Sequence, residues 1–176
     1  MNDYVGTQLR GWDAATFRTA SGDPTMRSTV VAMTLVEKAP DWDRFLARMQ
    51  RLTLCVPTLR MRPLYGLFGF SAPRLAVDPD FDISVHLRRY RLVEGGGWAD
   101  LLEDARRMSL TDFDPNRPLW EAALVEGLPG GAAALLLKLH HSIADGQATV
   151  MMGLTLFEFS AESDPNELPA PAAPPP

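Results

Sequence analysis

The sequence lacks the features that mark several common classes of protein. Among its 176 residues there is one cysteine, Cys55, so no internal disulfide can form and we expect a reducing compartment. The net charge is −5, and lysine and arginine form no long cluster, so we expect no nucleic-acid partner. The longest apolar run, "AAALLLKL", is broken by Lys138 and is too short to span a bilayer. Because the first residues are polar and do not predict a signal peptide, we expect a cytoplasmic location.

The residues that are present predict one globular domain with both helices and strands. Hydrophobic residues make up 46% of the chain and charged residues 22%, which is typical of such a domain. The spacing of apolar residues predicts strands over 28–36, 82–92, 119–128 and 132–141, and helices over 11–20, 39–54, 98–110 and 147–159. The helix over 98–110 is predicted to be amphipathic, and its apolar side carries Trp98, Leu101, Leu102, Ala105 and Met108. The order of these elements, with a hairpin near the end whose turn is "PGG", predicts an α/β (α+β) fold class with a mixed sheet.

Three local patterns sharpen this prediction. Asp41 can cap the helix that follows it. The strand over 82–92 alternates, with Ile83, Val85 and Leu87 on its apolar side and His86 on the polar side, which indicates a half-buried strand. The strand over 132–141 is apolar almost throughout, which indicates a central strand covered on both faces.

The end of the chain differs in composition from the rest. Residues 161–176, "AESDPNELPAPAAPPP", are rich in proline and alanine, which is typical of a linker. We therefore expect a domain over 1–160 and a linker over 161–176, with a C-terminal domain absent from this chain. On composition alone, a disordered tail is an equally good interpretation.

The stretch "KLHHSIADG" (138–146) is the strongest candidate for a functional site. It holds His140, His141, Asp145 and Gly146 where a buried strand is predicted to lead into a helix, and such loops often carry function. Neighbouring side chains on extended backbone point to opposite sides, so we expect one histidine to face the interior and the other an opening. A histidine at a cleft suits general base catalysis, because an unperturbed imidazole has a pKa of about 6.5.

Other interpretations of this stretch are weaker. A zinc site needs three or four convergent ligands, whereas adjacent histidines diverge and the third, His86, is distant in sequence, so we expect no metal. Ser142 lacks the G-x-S-x-G surroundings of a hydrolase nucleophile. We expect Cys55 to be a buried apolar thiol and Trp120 to be an anchor of the core.

Two motifs in the second half carry a resemblance to a known family. "HHSIADG" matches the HHxxxDG motif of the CoA-dependent acyltransferase superfamily, which has the chloramphenicol acetyltransferase and condensation-domain folds. "NRPLWE" (116–121) holds a Pro-Leu-Trp motif whose distance from the double histidine resembles the bacterial wax ester synthase/diacylglycerol acyltransferase family. Together with "DPDFDISVHLRR" (78–89), these segments extend the resemblance over most of residues 10–160. The resemblance implies a chloramphenicol acetyltransferase-like half-domain, with helices flanking the sheet.

The resemblance also implies roles for individual residues. His141 would be the general base that deprotonates the hydroxyl of diacylglycerol or a long-chain alcohol, whose oxygen then attacks the thioester of acyl-CoA. Three residues would support the geometry of the motif: His140, Asp145 and Gly146. Three others would help to shape the substrate pocket: Pro118, Leu119 and Trp120.

Partners follow from the same resemblance. Family members are roughly twice this length or more, with a channel between two halves, which implies a complementary C-terminal half as partner. Acyl-CoA would be a co-substrate with no bound cofactor, and the apolar acceptors imply contact with the inner membrane or lipid droplets. Two alternatives stay open: a related acyltransferase with a polyketide or amine acceptor, and a non-catalytic half that binds acyl-CoA or lipid.

Overall fold

A computed structural model of the chain describes residues 29–64 and 74–143, the backbone of residues 7–8, and residues 152, 153, 155 and 156. The four described positions after 150 are helical. Several predictions lie outside the described residues: the helix over 11–20, most of the helix over 147–159, the linker over 161–176, and the positions of Asp145 and Gly146.

The described strands form two sheets. The larger has four strands in the order β2-β7-β6-β5, with β5 and β6 parallel and the other pairs antiparallel: β2 (Thr29–Val36), β5 (Leu87–Arg91), β6 (Trp120–Glu126) and β7 (Ala133–His140). The smaller is antiparallel in the order β1-β4-β3: β1 (Thr7–Gln8), β3 (Met61–Leu64) and β4 (Arg74–Val77). This mixed architecture confirms the predicted α/β fold class.

Strand β7 is an interior strand of the larger sheet, and all eight of its residues are buried. Its side chains alternate between two cores, because successive residues of a strand face opposite sides of the sheet. The larger hydrophobic core contains Leu135, Leu137 and Leu139, and the smaller core, on the other face of the sheet, contains Ala134 and Leu136. The prediction of a central strand covered on both faces is confirmed.

Strands β6 and β7 form the predicted hairpin. They pair from Trp120 opposite Leu139 to Glu126 opposite Ala133, and a 3₁₀ turn at Pro129–Gly131 lies in their connection. Gly130 has a φ of 76°, in the left-handed region that a residue with a side chain rarely adopts. The "PGG" signal in the sequence therefore marks a real turn.

Helix α1 (Trp42–Cys55) packs against the larger core. The carboxylate of Asp41 accepts hydrogen bonds from the backbone N–H groups of Asp43 and Arg44 at 3.1 and 3.0 Å. The residues that enter the core recur at helical spacing: Phe45, Met49 and Leu52. The predicted cap and apolar face are confirmed.

Helix α2 (Trp98–Leu110) packs on the opposite face of the sheet, through Leu101, Ala105 and Met108. Trp98 and Leu102, predicted for the same apolar side, are 52% and 45% exposed. That part of the prediction is wrong, because these residues are rotated by about 60° and 100° around the helix axis from Leu101. No helix among the described residues has the length and apolar character needed to cross a membrane.

The segment 82–91 differs from the predicted strand. The side chain of Asp82 accepts a hydrogen bond from the N–H of Ser84 at 2.8 Å and caps a 3₁₀ turn, Ile83–Val85. Such a local hydrogen bond competes with pairing in a sheet, and β5 begins only at Leu87. His86 has φ −96° and ψ −13°, which breaks the alternation, so its side chain is buried and not on a polar side.

Candidate functional site

The double histidine lies where β7 ends and a 3₁₀ turn, His141–Ile143, begins. His140 is the last residue of β7 and is 7% exposed, whereas His141 is exposed. The two side chains therefore have different surroundings, which is the division that extended backbone predicts. Of the two, His141 is the imidazole that a molecule from outside the described fold can reach.

His140 is held by its backbone and by its ring. Its N–H donates to the carbonyl of Leu119 at 3.0 Å. Its Nδ1 accepts from the backbone N–H of Ser142 at 3.2 Å and lies 2.8 Å from the hydroxyl of the same residue. Because Nδ1 is an acceptor, the neutral ring carries its proton on Nε2. The hydroxyl of Thr58 donates to the carbonyl of Ile143 at 3.3 Å, so the turn is anchored on both sides of His141.

The Pro-Leu-Trp motif lies directly behind this turn. Pro118, Leu119 and Trp120 are buried, and Trp120 has no exposed surface. The indole Nε1 of Trp120 donates to the carbonyl of Leu59 at 2.7 Å, which confirms the expected core anchor. The motif thus connects the double histidine to the larger core.

His86 is a second buried histidine, although the alternation of its segment predicts a position on the polar side of a strand. Its ring stacks between Trp120 and Phe81, with centroid distances of 4.6 and 5.5 Å. Nδ1 donates to the carbonyl of Trp120 at 2.8 Å, and Nε2 is buried without a hydrogen-bond partner among the described residues. Burial lowers the pKa of His86 below its ordinary value, so this ring is neutral at pH 7 and serves packing.

Lys138 belongs to the "KLHH" stretch, but the sequence indicated only that it interrupts the apolar run. Its side chain is fully buried, and its Nζ donates to the hydroxyl of Thr111 at 3.0 Å and lies 3.7 Å from the carboxylate of Glu121. Burial lowers the pKa of Lys138, and the charge of Glu121 opposes that shift. A lysine inside an otherwise apolar central strand is the signal that could have indicated this ion pair, because buried lysines are almost always paired.

The remaining candidates are Cys55, a possible cluster of metal ligands, and the last two residues of the motif. Cys55 is 4% exposed in the larger core, which confirms the apolar thiol. Within the part of the chain that the structure describes, no three His, Cys, Asp or Glu side chains come together as metal ligands. Asp145 and Gly146 lie outside that part. The accessible acid–base group of the turn is therefore His141.

Sequence comparison assigns relatives to this chain. A family model described as the wax ester synthase/diacylglycerol acyltransferase catalytic domain matches residues 9–176. Two Mycobacterium tuberculosis proteins named as diacylglycerol O-acyltransferases are 35% identical over 147 residues and 36% identical over 141 residues. These matches cover 84% and 77% of this chain but 30% of each relative.

Three solved structures share the fold. The wax ester synthase/diacylglycerol acyltransferase from Marinobacter aquaeolei VT8 has a TM-score of 0.66 at 26% identity, over 84% of this chain and 36% of that chain. The first condensation domain of the calcium-dependent antibiotic synthetase has a TM-score of 0.69 at 21% identity, over 88% and 38%. The starter condensation domain of rhizomide synthetase, in complex with C8-CoA, has a TM-score of 0.69 at 15% identity, over 86% and 34%. The last two likenesses concern the fold alone.

Proposed function

Because the chain belongs to the wax ester synthase/diacylglycerol acyltransferase family, we propose that it is the N-terminal half of an O-acyltransferase. The enzyme transfers a fatty acyl group from acyl-CoA to diacylglycerol, giving triacylglycerol, or to a long-chain alcohol, giving a wax ester. The observation that carries this proposal is the exposed imidazole of His141 beside the anchored His140 at the end of the central strand. The names of the relatives support the substrate classes.

In the proposed reaction His141 is the general base. It removes the proton from the acceptor hydroxyl as that oxygen attacks the thioester carbonyl carbon. The carbon–sulfur bond then breaks, and protonated His141 returns the proton to the departing CoA sulfur. The products are an ester and free CoA, and no acyl-enzyme forms.

The neighbouring residues hold His141 in place. His140 fixes the turn through Leu119 and Ser142, and we assign Asp145 and Gly146 to the same geometric role from the motif. Pro118, Leu119 and Trp120 shape the substrate pocket from behind, as a rigid wall. A rigid support matters because small misplacements of a catalytic group are costly in rate.

The chain is proposed to work with a second half. It covers about a third of the length of its relatives, so we assign 1–160 to the N-terminal domain, 161–176 to a linker, and the rest of the substrate channel to a complementary C-terminal domain. Acyl-CoA is the proposed co-substrate, with no resident cofactor. We place the reaction in the cytoplasm at an inner-membrane or lipid-droplet surface, where apolar acceptors collect.

The test compares acceptors and one substitution. The chain and its complementary half are supplied with acyl-CoA and, in parallel, diacylglycerol, a fatty alcohol and a fatty amine. We expect ester formation with the first two acceptors, and we expect His141→Ala to lower kcat by about 100-fold or more without loss of acyl-CoA binding. Arg106→Ala, on the exposed side of α2, is the control.

Three results would contradict the proposal. Full turnover in His141→Ala would remove His141 as the base. Acyl-CoA binding without turnover in the unmodified protein would support the non-catalytic lipid-binding alternative, and preference for the amine would support a different acceptor class.

A further inference from the structure

Two residues on one face of β7 contact the same aromatic ring. Lys138 and His140 are separated by one residue, so their side chains leave the same face of the strand. The Nζ of Lys138 lies 4.1 Å from the centre of the Phe113 ring. The ring of His140 meets that ring edge-on, with 6.2 Å between centroids and an interplanar angle of 69°. Phe113 therefore links a buried cation to the histidine that precedes His141.

Lys138 also ties two other elements to β7. Thr111, which follows the last residue of α2, donates its hydroxyl proton to the carbonyl of Met108 at 2.9 Å and accepts from Nζ at 3.0 Å. Glu121 lies directly opposite Lys138 in the pairing of β6 with β7, with its carboxylate 3.7 Å from Nζ. The loop that carries Phe113 is thus attached to β7 two residues before His140.

The stability of the fold does not by itself explain why the ammonium group of Lys138 is buried. Transfer of an ammonium group from water to the interior is unfavourable, and Glu121 compensates incompletely because it is partly exposed and 3.7 Å away. Apolar residues of similar volume in place of a buried ion pair are often as stabilising or more so. An apolar residue of similar volume at position 138 would therefore be compatible with a fold of equal stability.

We propose that Lys138 is a positioning residue for the double-histidine turn. It holds Phe113 against His140, so that His140 keeps the orientation in which its Nδ1 closes the turn on Ser142 and presents His141 to substrate. The inference rests on the proposed function, because the role it assigns to Lys138 belongs to the same acyl transfer.

The decisive variant is Lys138→Met, which keeps a long unbranched side chain and removes the charge. Lys38→Met is the matched control, because Lys38 is the only other lysine and is exposed. For Lys138→Met we expect unchanged or higher resistance to denaturant. We also expect kcat for acyl transfer, measured with the complementary half, to fall about tenfold, which corresponds to about 1.4 kcal/mol of transition-state stabilisation. The KM for acyl-CoA should not change, because Lys138 has no exposed surface for a substrate to contact.

A second readout follows the ring of His140 directly. The chain has three histidines, so ¹⁵N-labelled imidazoles give three sets of NMR signals. Lys138→Met should shift the ring signals of His140 and leave those of His86, which stacks on other rings. Phe113→Leu removes the shared ring and keeps the lysine, so it should shift the same signals. In the double variant Lys138→Met/Phe113→Leu, the His140 signals should shift little further than in either single variant, because both changes break one connected set of contacts.

The outcomes separate the inference from the proposed function. A folded Lys138→Met protein with unchanged kcat or unchanged His140 signals would overturn the inference, and Phe113→Leu decides the question if Lys138→Met does not fold. If His141→Ala abolishes turnover while Lys138→Met does not affect it, the inference alone is wrong. If the unmodified protein has no turnover, the proposed function is wrong, and the His140 signals still decide whether Lys138 positions this ring.

Discussion

His86 and His140 are both buried, yet their rings are held in opposite ways. His86 donates from Nδ1 to the carbonyl of Trp120 and stacks nearly flat between two aromatic rings. His140 accepts at Nδ1 from Ser142 and meets Phe113 edge-on. The first arrangement encloses the imidazole of His86 among apolar groups. The second supports the turn in which the imidazole of His141 is exposed.

Both histidines bind the same short segment. The carbonyl of Leu119 accepts from the backbone of His140, and the next carbonyl, that of Trp120, accepts from the ring of His86. The difference between the two sites therefore comes from what surrounds each ring. The ring of His86, whose pKa is lowered by burial, fills space, whereas we propose that the exposed imidazole of His141, beside the anchored His140, exchanges a proton with the substrate.

The largest stability effect is expected from Trp120→Ala, because Trp120 is fully buried, stacks on His86 and lies opposite Leu139, the residue before His140. Removal of this fully buried side chain and its 2.7 Å hydrogen bond should lower the free energy of unfolding by about 3–5 kcal/mol, measured by urea denaturation. Trp98→Ala, at a 52% exposed position, is the control and should cost less than about 1 kcal/mol. Equal losses in the two variants would contradict the role of Trp120 as an anchor of the core.

An intermediate effect should separate the adjacent histidines. His140→Ala removes a buried ring and its bond to Ser142, so the free energy of unfolding should fall by about 1–3 kcal/mol. His141→Ala changes an exposed side chain and should cost less than about 1 kcal/mol. Thermal denaturation of both variants checks this. The reverse order would show that the support and the accessible base are wrongly assigned.

The smallest effect concerns the pH dependence of stability at His86. Its folded-state pKa is lowered below 6.5, so below that pH the unfolded chain binds more protons at this site than the folded chain. The stabilising contribution is therefore complete above about pH 6.5 and is lost as the pH falls through the folded-state value. Urea denaturation between about pH 7.5 and 5 should show a steeper loss for the unmodified protein than for His86→Gln. Equal slopes would contradict the assignment of a neutral, enclosed ring.

Much of the fold could be predicted because the elements concerned follow one periodicity. The apolar run of β7 predicts a strand covered on both faces, and the spacing after Asp41 predicts α1 and its cap. The segment around His86 could not be predicted in the same way. Its alternation indicates a strand, but the hydrogen bond between Asp82 and Ser84 starts a 3₁₀ turn, after which His86 is buried while Val85 is exposed.

The candidate site was predicted as a motif but not as a set of contacts. The opposite surroundings of His140 and His141 follow from the geometry of extended backbone, and no knowledge of packing is needed. The contacts of Lys138 join β7 to residues 27 and 17 positions earlier, Thr111 and Glu121. A short-range pattern in the sequence does not indicate which residues from distant parts of the chain will be in contact.

The sequence by itself therefore determined the α/β class, the central strand, the hairpin, the family and the division between the two histidines. These depend on residue type and on short-range periodicity. The tertiary structure alone decided that the successive carbonyls of Leu119 and Trp120 bind the two buried histidines, that His86 is enclosed, and that Phe113 connects Lys138 to His140. The physical reason is that such contacts depend on how separate elements pack, and a buried polar group takes its partners from whichever element lies against it.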